Sequence, residues 1–417
     1  MFILTAYAIL YFLSYLILRL IRAKTAPADD FIARKTVTFG DESAVRPDRA
    51  ASIISLVVVF LLWGAFTGSK LVPIHVPGPF RGETSFTFTA SDAAGQTADA
   101  RVDVVVHDMG ESVETPDPAA DTGFAQSATA TVAAWRSVLV IPKQTDGEKA
   151  TVVAIDGKPI AAGQTVQVAD GDVTMTEKGS LNFAPSPGLQ MEPIWMPAPE
   201  HVVARFFEIA KNGYQNVDLW SHVGWSLWRV IAGFVLGSII GIPLGYAMGL
   251  SGWARGWFDP IVEFMRPVPP LALIPLVIIW FGIGENGKIV LLFLAALWVM
   301  IIAARAGVSG VNITKVQAAY SLGASKSQIL WHVIVPNSLP EIFTGARVAM
   351  GVCWGTVVAA ELVAAEMGVG KMIVAASKFQ STDIVMMGIV IIGIIGFGID
   401  VLMRKSEIWL VPWKGKS

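Results

Sequence analysis

The 417-residue chain has one cysteine and little charge, and both shortages narrow what it can be. Cys353 permits no internal disulfide and no Cys-based metal cluster, and its place in an apolar run beside Trp354 reads as a small buried thiol. Charged residues make up 15% of the chain against 53% hydrophobic, and mean hydropathy is +0.58, far from a soluble average. The net charge of -2 gives no case for nucleic acid. His75, His107, His201, His222 and His332 lack metal-ligand spacing, and no Ser/His/Asp arrangement stands out, so neither a metal site nor a catalytic residue is assigned. Gly282 to Lys288 has the spacing of a phosphate loop, but Ile289 stands where a magnesium-binding hydroxyl belongs. Apolar runs flank it, so a turn at the outer membrane face is expected.

What is abundant is membrane-length apolar sequence. A helix crosses a bilayer in about 17–25 residues, and such runs occur near 2–20, 51–69, 224–250, 287–304, 342–363 and 384–403, with a shorter, proline-rich seventh at 268–282. The first run has no basic residues before it, while Arg19, Arg22 and Lys24 follow, so it is expected to be a retained anchor (1–21) with its N-terminus outside. The basic residues of a linker (22–50) and of the tail place both in the cytoplasm, consistent with seven crossings. The span at 51–70 is the first of the core.

Between 71 and 194 acidic residues outnumber basic ones and period-2 alternation predicts an all-β, sandwich-like domain in water. Strands are expected at 84–90, 99–106, 150–155, 164–168, 172–176 and 180–183, with turns at Asp156-Gly157, Asp170-Gly171 and Lys178-Gly179 and an exposed loop at 109–125. After it, Pro199 is expected to start an amphipathic helix whose Phe206, Phe207 and Ile209 lie at the membrane surface. The rest, 195–417, is a polytopic helical core.

Four features of that core invite a functional reading. Residues 316–336 hold a small-residue helix with Ala318 and Ala319, a break at Gly323, and a second amphipathic segment that Pro336 is expected to end. Pro267, Pro269, Pro270 and Pro275 cannot share one regular helix, and broken backbone at membrane depth is tolerated against protein or a wet cavity. The stretch therefore lines a pathway or gate, or kinks a packing helix. Gly233, Gly237, Gly241 and Gly245 form a stripe suited to close packing. Arg229, Glu361 and Asp400 are ionisable residues in spans. Arg229 is expected to snorkel from the outer end of its helix, Asp400 to lie at the inner end beside Arg404, and Glu361 to sit deep or at the outer mouth.

The segment V-Q-A-A-Y-S-L-G-A-S-K-S-Q-I-L-W-H-V-I-V-P resembles the cytoplasmic coupling loop of binding-protein-dependent ABC importers, E-A-A-x-x-x-G-x9-I-x-L-P, with Gln317, Val333 and Val335 in place of Glu, Ile and Leu. S-L-W-R-V-I-A-G-F at 226–234, G-I-P-L-G-Y-A-M-G-L-S at 241–251, the run 259–285 with R-P-V-P-P-L-A, V-V-A-A-E-L-V-A-A at 357–365 and L-V-P-W-K-G at 410–415 resemble the permease of taurine and related sulfonate importers. The resemblance implies a permease subunit with a coupling loop at 313–340, in which Gln317, Ala318, Ala319, Gly323, Ala324, Ser325 and Pro336 dock on an ATPase. It implies a homodimer in the inner membrane, surrounded by lipid, with two cytoplasmic ATPase subunits that bind ATP and Mg and an extracytoplasmic substrate-binding protein. This chain itself would bind no cofactor. Arg229, Pro267, Pro269, Pro270 and Glu361 are its pathway or gate candidates, Arg229 as a weak sulfonate contact. Nitrate, cyanate and bicarbonate permeases share much of the pattern, and a membrane-anchored adhesion or sensor protein is the alternative of another class. In the β-domain, residues 85–106 resemble the last hairpin of bacterial Ig-like or cadherin-like repeats and 151–187 the earlier half, an order that predicts one permuted sandwich.

Overall fold

A computed structural model describes residues 2–25, 49–92, 95–115, 117–121 and 123–414. Most of the expected linker at 22–50 lies outside the described residues. The chain forms two compact units, Met1–Glu200 and His201–Ser417.

The first unit begins with α1 (Phe2–Thr25) and α2 (Arg49–Thr67). Tyr7 of α1 is buried with Ala65 of α2 and Val72, and its hydroxyl donates to the Ile74 carbonyl at 3.3 Å. Leu56 and Val59 remain exposed, as on a helix that faces lipid.

Among the described residues eleven strands follow: β1 (Gly82–Ser91), β2 (Thr97–His107), β3 (Ala125–Gln126), β4 (Ala128–Ala133), β5 (Val138–Val140), β6 (Lys143–Gln144), β7 (Thr151–Ile155), β8 (Lys158–Pro159), β9 (Thr165–Val168), β10 (Gly171–Met175) and β11 (Leu181–Pro185). One sheet has the order β4-β2-β1-β7-β8, a second β5-β11-β10-β9, and β3 pairs with β6. The inward residues of both main sheets form one core, with Phe86 stacked on Phe183 at 5.7 Å between ring centroids. This is a single sandwich, and β1 pairs with β2 on one side and β7 on the other, joining the two segments expected to be halves of one repeat. Six expected strands are present. β4 was not expected, because A-T-A-T-V-A carries little apolar contrast. It lies parallel to β2, and the parallel crossover occupies most of the expected loop at 109–125. Of the three expected glycine turns, Gly157 and Gly179 adopt positive φ, whereas Gly171 is already in β10, where a Cβ would meet the Ala184 carbonyl. The ends of the sandwich are adjacent: the Phe80 amide donates to the Ser186 carbonyl at 2.9 Å and the Leu189 amide to the Pro77 carbonyl at 2.7 Å.

The second unit is helical: α3 (Pro199–Asn212, shared with the end of the first), α4 (Leu219–Leu250), α5 (Gly252–Met265), a 3-10 turn (Pro270–Leu273), α6 (Ile274–Phe281), α7 (Glu285–Ser309), α8 (Ile313–Ser321), α9 (Lys326–Ile329), a π-turn (Leu330–Ile334), α10 (Val335–Ala364), α11 (Val369–Lys378) and α12 (Thr382–Leu410). α3 turns Phe207 outward but buries Val202 and Ile209, so Ile209 is not available to a membrane surface. Arg205 of α3 ties it to the start of α12 through Asp383 at 2.7 Å. Asp218 caps α4, and the Ser221 hydroxyl and amide that donate to its carboxyl hold it below the usual carboxylate range.

Among the described residues, five helices are long and apolar enough to cross a bilayer: Ala50–Thr67, Leu219–Leu250, Glu285–Ser309, Lys326–Leu362 and Thr382–Leu410. α1 contributes a shorter apolar stretch, Tyr7–Ile17. The expected short span at 268–282 contains the Pro270–Phe281 segment, which meets α5 at 92°. The eight residues of α6 rise only about 12 Å, too little to cross without α5.

The glycine stripe sets the core. α4 and α7 run parallel, and a Cβ on Gly237 would lie 2.6 Å from Ala296 Cβ, one on Gly241 2.9 Å from Met300 Cβ and one on Gly245 2.6 Å from Ala304 Cβ. α10 packs antiparallel on α7, where Gly345 meets Ala303 and the Cys353 thiol donates to the Leu292 carbonyl at 3.4 Å. Gly237→Val is expected to push α4 off α7 and lower the thermal unfolding midpoint in detergent. Gly224→Ala on the exposed face of the same helix, with nothing within 4 Å of the added Cβ, is expected to stabilise by about 0.5–1 kcal/mol.

Candidate functional site

Two sites stand at opposite ends of the α7–α10 pair. At the end where α7 stops and α10 starts, the chain makes a compact helix–turn–helix. Asn312 caps α8 by accepting from the Thr314 amide at 2.9 Å. At its other end Gly323 adopts φ 81, its amide donates to the Tyr320 carbonyl at 2.9 Å, and the Ala324 amide donates to the Ala319 carbonyl at 3.1 Å. That pair of bonds closes a helix on a left-handed residue, which is why glycine is required there. A Cβ added to Gly323 would meet no atom within 4 Å, so conformation and not space sets the requirement.

Ser325 then caps α9 in a reciprocal box: its hydroxyl accepts from the Gln328 amide at 3.3 Å and its own amide donates to Gln328 Oε1 at 2.8 Å. Gln317, Ala318, Gly323 and Ser325 are exposed, and Ala319 and Ala324 half-buried. Ile313, Tyr320, Leu322 and Trp331 give the segment an exposed apolar surface. Pro336 does not end the second helix as expected. It lies in the first turn of α10, where a missing N–H is tolerated, and a π-turn carries the helical path through from Lys326 to Leu362. Lys315 Nζ donates to Asn337 Oδ1 at 2.8 Å and clips α8 to α10.

At the other end lies a buried charge cluster. Arg229 does not snorkel: its side chain is 1% exposed and Glu361 is fully buried. Arg229 Nε and Nη2 donate to the two oxygens of Glu285 at 2.6 and 2.8 Å, and Nη1 donates to Glu361 Oε1 and the Met367 carbonyl, each at 2.8 Å. Glu361 also accepts from the Ser226 hydroxyl at 2.7 Å and the Gly370 amide at 2.8 Å, while Lys288 Nζ donates to Glu285 at 2.8 Å. The loop after α10 reaches Glu361 because Gly368 takes φ 141 and approaches where a Cβ would strike the carboxylate. The cluster thus joins α4, α7, α10 and the start of α11. Four hydrogen bonds to protein acceptors leave the guanidinium without a free fork for a sulfonate.

Glu285 and Lys288 were not singled out by sequence. They lie in the loop whose spacing imitates a phosphate site, and Gly282 there takes φ 73 just before α7, as a turn requires. The signal that could have found them is the Glu-x-x-Lys spacing at the start of an apolar helix. Pro267 and Pro269 lie in the break between α5 and the 3-10 turn, which Pro270 opens; Pro267 and Pro269 are exposed and Pro270 half-buried. Asp400 pairs with Arg404 at 2.7 Å and Arg347 at 3.7 Å.

Removing one member of a fully buried pair strands the other charge, a loss of about 3–5 kcal/mol. Arg229→Met is therefore expected to unfold at a distinctly lower temperature than wild type, and Arg229→Met with Glu361→Gln to recover part of that loss. Thermal denaturation of the purified variants in detergent measures the order; equal midpoints for the single and double variants would contradict it.

A family model described as "Binding-protein-dependent transport system inner membrane component" matches residues 233–408, a range that runs from the glycine stripe through the proline break and coupling segment to α12. The chain is 46% identical over 227 residues, 54% of its length and 82% of the relative's, to the taurine transport system permease protein TauC of Escherichia coli (strain K12). It is 38% identical over 216 residues, 52% of its length and 81% of the relative's, to the putative aliphatic sulfonates transport permease protein SsuC of the same organism. The nitrate import permease protein NrtB of Synechococcus elongatus is more distant, 32% identical over 179 residues, 43% of this chain and 62% of the relative. With that identity across most of the taurine permease, and a capped helix–turn–helix joined to a membrane-length helix, the chain belongs to the family of binding-protein-dependent transport system inner membrane components, as a transmembrane permease subunit.

Proposed function

We propose that this subunit carries taurine or a related alkanesulfonate across the inner membrane as half of a homodimer, with two ATPase subunits inside and a substrate-binding protein outside. The observation that carries the reading is the 46% identity to a taurine permease over 82% of that protein's length. ATP and Mg belong to the partner ATPase in this reading. The N-terminus and the β-sandwich face the periplasm, and the C-terminus and the coupling segment the cytoplasm.

In the cycle, ATPase closure moves the segment containing Gln317, Ala318, Ala319, Gly323, Ala324 and Ser325. A helical path continuous from Lys326 to Leu362 carries that movement to Glu361. Arg229 and Glu361 act as a latch at the outer end, not as a sulfonate contact, because Arg229's donors are engaged by Glu285, Glu361 and Met367. Pro267, Pro269 and Pro270 form a bend beside the pathway. Selection among sulfonates falls mainly to the binding protein, since the donors of Arg229, the sulfonate contact expected from sequence, are engaged within the protein.

The test is uptake of radiolabelled taurine into proteoliposomes holding the permease, its ATPase and its binding protein, with unlabelled nitrate as competitor. Taurine uptake that nitrate does not reduce is expected; no taurine uptake, or uptake that nitrate abolishes, would refute the substrate. In the same vesicles Gly323→Val is expected to insert normally but lose most ATP-driven uptake, since φ 81 is strained for a β-branched residue.

A permease in which residues 78–190 are replaced by a short Gly/Ser linker is expected to keep substrate-stimulated ATP hydrolysis with an altered dependence on binding-protein concentration. The flanks that remain are already held together, with the Met191 amide donating to the Phe66 carbonyl at 2.8 Å. Loss of stimulation at every binding-protein concentration would make the sandwich part of the transport cycle.

A further inference from the structure

The C-terminal motif L-V-P-W-K-G lies outside the coupling segment and the charge cluster, yet its described residues, through Lys414, make specific bonds. α12 ends at Leu410 and the chain turns at Val411, which is buried and whose amide donates to the Glu407 carbonyl at 2.8 Å. A tail that only capped α12 would direct its donors to the last carbonyls of that helix. Instead Trp413 Nε1 donates to the Pro336 carbonyl at 3.1 Å and Lys414 Nζ donates to Thr344 Oγ1 at 3.0 Å, both on α10. Lys414 is held in place by its ion pair with Glu407, whose side chain is 10% exposed.

The acceptor is not arbitrary. In an α-helix the carbonyl of residue 336 takes the amide of residue 340, and residue 340 is a proline without one. Trp413 therefore reaches the carbonyl whose regular helical donor is missing. Thr344 Oγ1, the partner of Lys414, donates to the Pro340 carbonyl at 2.9 Å, so the two tail residues contact the chain four residues before and four residues after Pro340. That turn is where the coupling segment passes into α10, directly after the π-turn at Leu330–Ile334. A helix that has lost a hydrogen bond to proline beside a π-turn bends most easily there. A push on the coupling segment would go into bending instead of reaching the far end of α10.

We propose that Trp413 and Lys414 brace this proline-weakened turn from α12, as positioning residues that keep the coupling segment and α10 moving as one body. The inference rests on the importer reading, and the wild-type complex, run alongside, tests that reading separately through its own taurine uptake. The quantity measured is taurine taken up per ATP hydrolysed in proteoliposomes holding the permease, its ATPase and its binding protein. Trp413→Phe keeps the ring and removes the donor; it is expected to lower the ratio about fivefold, the shift carried by one hydrogen bond of typical net strength.

Pro340→Ala returns an amide to the turn and makes the brace redundant, so Trp413→Phe with Pro340→Ala is expected to recover the wild-type ratio. Gly224→Ala, which stabilises α4 far from the turn, is the control: combined with Trp413→Phe it is expected to raise the unfolding midpoint without recovering the ratio. The proposal is overturned if Trp413→Phe couples normally, if Pro340→Ala fails to restore it, or if Gly224→Ala restores it equally well.

Discussion

A guanidinium with almost no exposed surface, in a helix of otherwise apolar character, has to be met by counter-charge and acceptors on every side. Arg229 is met by Glu285 from α7, Glu361 from α10 and the Met367 carbonyl from the loop after α10. None of these partners is near it in sequence, so the cluster exists only when the three helices have the right spacing and depth. The glycine stripe of α4 supplies the spacing, because backbone contact with α7, Gly233 against Leu292 and Gly237 against Ala296, brings the Arg229 side chain within reach of Glu285 in the first turn of α7. Gly368 supplies the last contact, since any side chain there would meet the Glu361 carboxylate. The packing geometry and the charge cluster therefore require each other.

The continuous path from Lys326 to Leu362 joins this cluster to the coupling segment. Its 37 residues span about 55 Å at the usual helical rise. At one end it begins in the Ser325–Gln328 capping box, and at the other it presents Glu361 to Arg229. The softer stretch, the π-turn followed by Pro336 and Pro340, lies close to the coupling end. A rod with its soft point near the driving end needs lateral support there, and the tail of α12 makes its contacts at that point.

The sandwich of the first unit is stabilised in a different way. Alternating side chains from two sheets share one apolar core, and the stacked Phe86–Phe183 pair bridges them. The parallel β2–β4 pair requires a crossover, and the chain from 108 to 124 supplies it. Because the chain enters and leaves the sandwich at neighbouring backbone positions, the domain needs little from the helices that flank it in sequence.

The amino-acid order alone determined five of the seven expected spans, the six principal strands, the turn at Gly323 and the incompatibility of Pro267, Pro269 and Pro270 with one helix. Each of these follows from local chemistry: apolar length, period-2 alternation, the positive φ that glycine accepts and the amide that proline lacks. It also marked Arg229 and Glu361 as unusual, since a charge in an apolar run is visible without coordinates. Tertiary structure decided that the two are partners, that Glu285 and Lys288 join them, that Ile209 faces inward, and that Pro336 opens a helix instead of closing one. β4 likewise became a strand only through its pairing with β2. These outcomes depend on residues brought together from distant parts of the chain, and a linear pattern carries no record of which face of one helix meets which face of another.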